Sequence, residues 1–215
     1  SASGSGGFSD ISDSTVADAA EMLRLLGVVD GTGGGAFNPG GTLSRAEFCK
    51  MTVEIMGRGA EEPAQRNRTI FTDVGPTYWA RGYVNLASSI TIGGTAGENG
   101  GTTGGTRLIM GVGDGTFRPN NMITRAEFVV LVNNAMGYTK SGYAYFSDVP
   151  SHYWGKNAIQ TGVAAGYISG DGNGIFRPND PVTRQEAAAM ISRILDLKQN
   201  ESRAYRYTDS YAISN

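Results

Sequence analysis

The sequence predicts an all-α protein, mainly helical with turn-rich loops, built from three divergent copies of a two-helix unit. Four landmarks recur three times in the same order, and apolar residues at helical spacing follow the last landmark of each copy. Glycine, with 32 of 215 residues, is about twice its usual share and calls for many turns.

Each copy opens on an aromatic–x–Asp–β-branched tetrad: Phe8-Ser9-Asp10-Ile11, Phe71-Thr72-Asp73-Val74 and Phe146-Ser147-Asp148-Val149. Tyr78-Trp79 and Tyr153-Trp154 follow in copies two and three. Here the first helix of each unit is expected to begin. Trp79, Tyr83 and Leu86 trace one face, as do Trp154, Ala158 and Thr161 or Gly162; copy one has Val16, Ala20 and Leu23 and no Trp. An Asp before a helix is a common cap, so Asp10, Asp73 and Asp148 are expected to cap the turn into that helix, with ligand contact as the other reading.

A glycine-rich, turn-forming segment comes next and ends at Phe37-Asn38-Pro39, Phe117-Arg118-Pro119 or Phe176-Arg177-Pro178. The glycine loops resemble phosphate or calcium loops, but they lack a Walker Lys-Ser/Thr and regular acidic ligands, so turn geometry accounts for them better. The second helix starts at Ser44-Arg45-Ala46-Glu47, Thr124-Arg125-Ala126-Glu127 or Thr183-Arg184-Gln185-Glu186. A hydroxyl followed three residues later by Glu is a capping box, which makes helix capping the leading reading of Glu47, Glu127 and Glu186. Phe48, Met51 and Ile55, and likewise Phe128, Leu131, Val132 and Met136, then lie on one helical face. Gly57 and Gly137 each stand 13 residues past the cap and suit a left-handed helix end.

Spacing sets the boundaries. From opening Phe to the Phe before Pro is 29 residues in copy one, 46 in copy two and 30 in copy three, so copy two carries an insertion. The expected organisation is a linker or vector-derived scar at 1–7, a repeat at 8–57, a linker at 58–70 and a repeat at 71–137 interrupted at about 93–107. A linker at 138–145, a repeat at 146–197 and a tail at 198–215 follow. The insertion has almost nothing to bury and reads as a mobile surface loop. Tyr205, Tyr207 and Asp209 in the tail faintly echo the opening tetrad, as the start of a fourth unit or a completing strand or cap. A two-helix unit cannot bury its stripe alone, so the copies must pack together, either stacked in an open solenoid or closed about an axis.

Composition narrows the function. With 18 basic and 20 acidic side chains the net charge is −2, which argues against nucleic acid as a partner. No apolar run approaches the ~20 residues of a membrane span. The single cysteine, Cys49, rules out an internal disulfide and a paired-cysteine metal site, and no metal or cofactor motif stands out. Its position in an apolar helix suits an inert thiol better than a nucleophile working with His152, the one histidine. A glycosidase needs two carboxylates across a cleft, and no non-repeated acidic pair stands out, so no catalytic residue is assigned.

Together the landmarks resemble the S-layer homology (SLH) module, from Phe8 to about residue 197. Copy two carries the pattern with Phe71 to Val74, Trp79, Gly111, Gly115, Phe117, Pro119 and Thr124 to Glu127. Copy three carries it with Phe146 to Val149, Trp154, Gly170, Gly174, Phe176, Pro178 and Thr183 to Glu186, where Gln185 replaces Ala. Copy one departs most, with no Trp and with Ser44 for Thr. The resemblance implies a three-pronged pseudo-threefold trimer of repeats with ligand grooves between the prongs. It further implies a non-catalytic module at the bacterial cell surface that anchors a protein to a secondary cell-wall polysaccharide carrying a pyruvate ketal sugar. Modified peptidoglycan is the alternative ligand, and self-assembly with neighbouring S-layer chains the alternative function.

The implied ligand residues are Arg45, Arg125 and Arg184 at the anion, with Trp79, Trp154, Asp73, Asp148, Gly111 and Gly170 around it. Position alone fits two readings of the arginines. Beside free backbone N–H groups at a helix start, the planar fork of Arg suits a carboxylate. Equally, each arginine could pack its stem on a neighbour and pair with a nearby acid. Trp79 and Trp154 could stack on a sugar or fill the core. Because copy one lacks the Trp and has Asn38 where the others have Arg, Arg125 and Arg184 are expected to matter more than Arg45.

Overall fold

The computed structural model describes residues 9–25, 36–93, 95–96, 102–169 and 172–212; Phe8 and Gly170 of the landmarks lie outside them. The chain is mainly helical. Copy one contributes α1 (Ser14–Leu25) and α2 (Arg45–Ile55), and a short α3 (Glu62–Gln65) lies in the connection that follows. Copy two contributes α4 (Arg81–Ser89) and α5 (Arg125–Met136), and copy three α6 (Lys156–Ala165) and α7 (Arg184–Ala212).

The second helices start as their sequences dictate. Ser44 Oγ accepts the Glu47 N–H at 3.1 Å. Thr124 and Glu127 close a full capping box, and α5 ends on Gly137 at φ 69°, a conformation that costs a residue with a Cβ. Thr183 Oγ1 accepts the Glu186 N–H while the Glu186 carboxylate accepts the Thr183 N–H. α7 then runs on for 29 residues, so the tail to Ala212 continues a helix and starts no fourth unit. Its run of Lys, Gln, Glu, Arg and Ala has good helix propensity despite its polarity.

Packing crosses the copies. α4 of copy two packs on α2 of copy one, α6 of copy three on α5 of copy two, and α1 of copy one on α7 of copy three. The segments leading into the second helices meet in the same order. Thr42 bridges Thr183, Ser44 bridges Met122 and Thr124 bridges Pro181. Arg45 N–H donates to Asn121 O, Arg125 N–H to Asp180 O and Arg184 N–H to Gly41 O. One shared core results, with Phe37, Phe48, Phe117, Phe128, Tyr167 and Phe176 all fully buried.

Three expectations need correction. Trp79 and Trp154 precede the first helices and stand 54% and 62% exposed, so neither is a core residue. Tyr78 and Tyr153 lie against them, and their hydroxyls are tied to Asn120 and Asn179. Asp10, Asp73 and Asp148 do not cap the first helix; each instead accepts two successive backbone N–H groups from the Phe-x-Pro turn of its own copy. For Asp73 the donors are Phe117 and Arg118, both at 2.8 Å. The middle residues of those turns, Asn38, Arg118 and Arg177, have φ of 57°, 55° and 60°. Two adjacent N–H groups converge only in that left-handed bend, and the carboxylate stabilises it. Lastly, the described residues of the copy-two insertion form two antiparallel pairs: β1 (Thr91–Ile92) with β4 (Thr106–Arg107), and β2 (Thr95–Ala96) with β3 (Thr102–Thr103). Backbone pairing joins these residues without an apolar pattern, and the tip at 97–101, where the mobile loop is expected, lies outside the described residues.

Candidate functional site

The cross-copy packing carries one side-chain arrangement to three junctions. At the junction of copies two and three, Arg125 at the first turn of α5 is buried, and its Nε donates to Phe176 O at 2.9 Å. Its guanidinium lies 4.8 Å from the centre of the Phe176 ring. Arg184 treats Phe37 the same way, with Nε to the carbonyl at 2.8 Å and the ring at 4.9 Å. Arg45 does so with Phe117, at 3.0 Å and 4.4 Å. Each arginine thus holds the carbonyl of the turn that an Asp clamps from the other side.

The second reading of the arginines also has its evidence. Arg125 Nη1 donates to the Glu186 carboxylate, which also accepts from Arg177 at 2.8 Å, and Arg184 Nη1 donates to Glu47. Glu47 and Glu186 are therefore more than helix caps. Beside Arg125 lies a cavity of about 220 Å³ lined by Arg125, Arg177, Glu186 and Arg193, with Ile168, Ser169 and Met190. Its size is below the ~300 Å³ at which pockets begin to enclose drug-sized molecules, so one terminal unit suits it better than a chain. Two of its three guanidiniums, Arg125 and Arg177, already share the Glu186 carboxylate.

Arg177 and Arg193 were missed as site residues. Arg177 stands inside a landmark and had a readable signal. Arg193 had none, because its counterparts at the same distance from the cap are Glu54 and Asn134. The remaining candidates divide. Asp73 and Asp148 are committed to their turns, and Gly111 makes room for its own fold: a Cβ there would sit 2.6 Å from the Phe71 ring and 2.7 Å from Thr116 O.

Titration follows the same geometry. The buried Cys49 thiol is pushed up to about 12 by desolvation, and His152 is exposed, which sets aside a cysteine nucleophile. Burial lowers the Arg45 guanidinium. The Phe37 N–H, more than any other contact, holds Asp10 below the usual carboxylate range, as Arg24 does Glu21 and Thr116 does Asp114. A depressed folded pKa gives stability that is present above the unfolded value, ~3.9 for Asp, and lost as pH falls through the folded one. Melting temperature should therefore hold from pH 7 to 5 and decline below about pH 4, with the decline shallower in Asp10→Asn. A flat profile to pH 2 would contradict the clamp.

Comparison with known proteins adds the family. The S-layer homology domain model matches residues 7–49, 106–129 and 145–188, more than half of the chain. The chain belongs to the S-layer homology domain family. It is 27% identical over 182 residues to the cellulosome-anchoring protein of Acetivibrio thermocellus, covering 82% of this chain and 37% of that protein. It is 31% identical over 186 residues to the surface layer protein of Brevibacillus choshinensis, covering 86% of this chain and 14% of that one. An endoglucanase of a Bacillus species shares 35% identity over 112 residues, half of this chain and 12% of the enzyme. This chain thus spans little more than a third of the first and under a sixth of the other two. Among the described residues no helix is long and apolar enough to cross a membrane.

Proposed function

We propose that the chain is a non-catalytic anchoring module at the bacterial cell surface, binding an acidic wall polysaccharide whose terminal sugar carries a pyruvate ketal. One observation carries this reading: the same arginine, at the start of the second helix of every copy, reaches across a junction between copies and lies on the Phe ring of the next. A planar guanidinium held by a ring and a carbonyl is preorganised for a carboxylate. The three sites are centred on Arg45, Arg125 and Arg184; Trp79 and Trp154 offer apolar faces on which a sugar ring can stack, and Arg177 and Arg193 add charge at the copy-two/copy-three junction.

The same cross-copy exchange supports a pseudo-threefold arrangement of the repeats 8–57, 71–137 and 146–197, since copy one hands on to copy two, two to three, and three back to one. Cellulosome-anchoring and surface-layer relatives fit the anchoring role. A pull-down on purified wall sacculi tests the ligand. Mild acid that removes the ketal but leaves the polysaccharide should lower binding at least tenfold, the effect of losing about 1.4 kcal/mol or more. Undiminished binding to the depyruvylated wall would overturn the reading.

A further inference from the structure

The three junctions provide an internal comparison, and they are not in the same state. At two of them the arginine's Nη1 is taken by a glutamate three residues past the capping hydroxyl of the partner copy: Glu186 for Arg125 and Glu47 for Arg184. The corresponding glutamate for Arg45 is Glu127. It makes no ion pair among the described residues; it is exposed and turned back to accept its own Thr124 N–H at 3.1 Å. Arg118, the counterpart of the Arg177 that braces Glu186, reaches instead toward Asp114 at 3.5 Å. Nothing draws Glu127 across.

Arg45 therefore meets only neutral acceptors, Phe117 O through Nε and Met110 O through Nη2 at 2.6 Å, and Nη1 has no partner among the described residues. Glu127 and Asp73 act on this half-buried guanidinium through space, but among the described residues no carboxylate hydrogen-bonds to it as Glu186 does to Arg125. Its rim also differs. Met110 and Met122, 67% and 56% exposed, flank it through the Met110 carbonyl contact and the Ser44–Met122 bridge. At Arg125 the same positions hold Ser169 and Pro181.

We propose that Glu186 and Glu47 serve as internal anions filling two of three equivalent guanidinium sites, and that the Arg45 site, rimmed by Met110 and Met122, takes an external carboxylate carried beside a methyl group. A pyruvate ketal has that pairing on one carbon: the carboxylate meets Nη1 and the methyl meets the methionines. This order of sites reverses the one expected from the sequence. The identity of the ligand rests on the wall-glycan reading of the preceding subsection, whereas the state of the arginines does not, and the test separates the two.

Titrate the whole chain calorimetrically with a disaccharide bearing a terminal pyruvate ketal. In parallel, label it with phenylglyoxal, which reacts with unpaired guanidinium groups, and locate the adducts by mass spectrometry. The expected result is one strong site per chain, weakened about ten- to a hundredfold by Arg45→Gln, as the loss of a charge-assisted hydrogen bond requires. Glu47→Gln with Glu186→Gln should add sites, since Thr183 and Ser44 still cap their helices. Arg45 should label several-fold faster than Arg125, and Glu186→Gln should speed labelling of Arg125. Wild-type binding in Arg45→Gln, or an unchanged number of sites in the double glutamine variant, overturns the proposal. So does equal labelling of the three arginines, or labelling of Arg125 that Glu186→Gln leaves unaltered. The expected labelling order in a chain that ignores the disaccharide would fault the glycan reading and uphold the internal anions.

Discussion

Residues 140–197 produced alone should give no cooperative thermal transition by circular dichroism, whereas the whole chain should melt in one. The fragment keeps α6 and the first half of α7 but loses what each packs on, because α5 covers α6 and α1 covers α7. Backbone groups lose partners as well. Arg184 and Gln185 donate to Gly41 and Pro39 of copy one, and Val182 donates to Ile123 of copy two. Ile159, Val182, Ile191 and Ile194, all buried in the whole chain, would face water. Each fully buried aliphatic side chain is worth about 1.5–3 kcal/mol, so re-exposing a few of them offsets the ~5–15 kcal/mol that stabilises an entire domain. A sharp, native-like melt of the fragment would remove the basis for the closed pseudo-threefold arrangement.

That dependence explains what could be read from the sequence. The second helices were legible to the residue at Ser44, Thr124 and Thr183, because a capping box is a local chemical signal, and Gly137 marked the end of α5 equally locally. The repeat order and the arginine positions were legible for the same reason. Periodicity, however, tells which face of a helix is apolar and not which helix will cover it, so the exchange of helices between copies was invisible. An Asp ahead of a helix can cap it or reach elsewhere, and the donors here lie 27 to 45 residues away in the chain. Trp79 and Trp154 sit one turn too early to share the buried face of their helices. The strand pairs in copy two are held by main-chain pairing in which Thr predominates, which leaves no hydrophobic pattern to find. At the candidate site, the arginines were readable as a type and a position. Their pairing was not, because Glu47, Glu127 and Glu186 have one local role and two different long-range ones.

Asp148→Ala should lower the melting temperature by roughly 6–12 °C, from a loss of about 3 kcal/mol at 2–4 °C per kcal/mol for a chain of this size. The carboxylate accepts the Phe176 N–H at 2.9 Å and the Arg177 N–H at 2.7 Å, and hydrogen bonds to a charged group contribute about 1.5–3 kcal/mol before solvent screening at a half-exposed site. Arg177 holds φ 60°, a bend that costs about 1–2 kcal/mol in a residue with a Cβ and that the two hydrogen bonds offset. Removing them releases the turn, and with it the Phe176 carbonyl that Arg125 grips and the Phe176 ring that packs on Phe146. Asp148→Asn keeps one acceptor oxygen and should lose about half as much. The alternative, that Asp148 is there for a ligand, makes the opposite forecast: Asp148→Ala would melt within a degree or two of the wild type and fail only in glycan binding. Thermal melts of the two variants in the absence of glycan separate these outcomes, and a wild-type melt for Asp148→Ala would show that the clamp does not hold the turn.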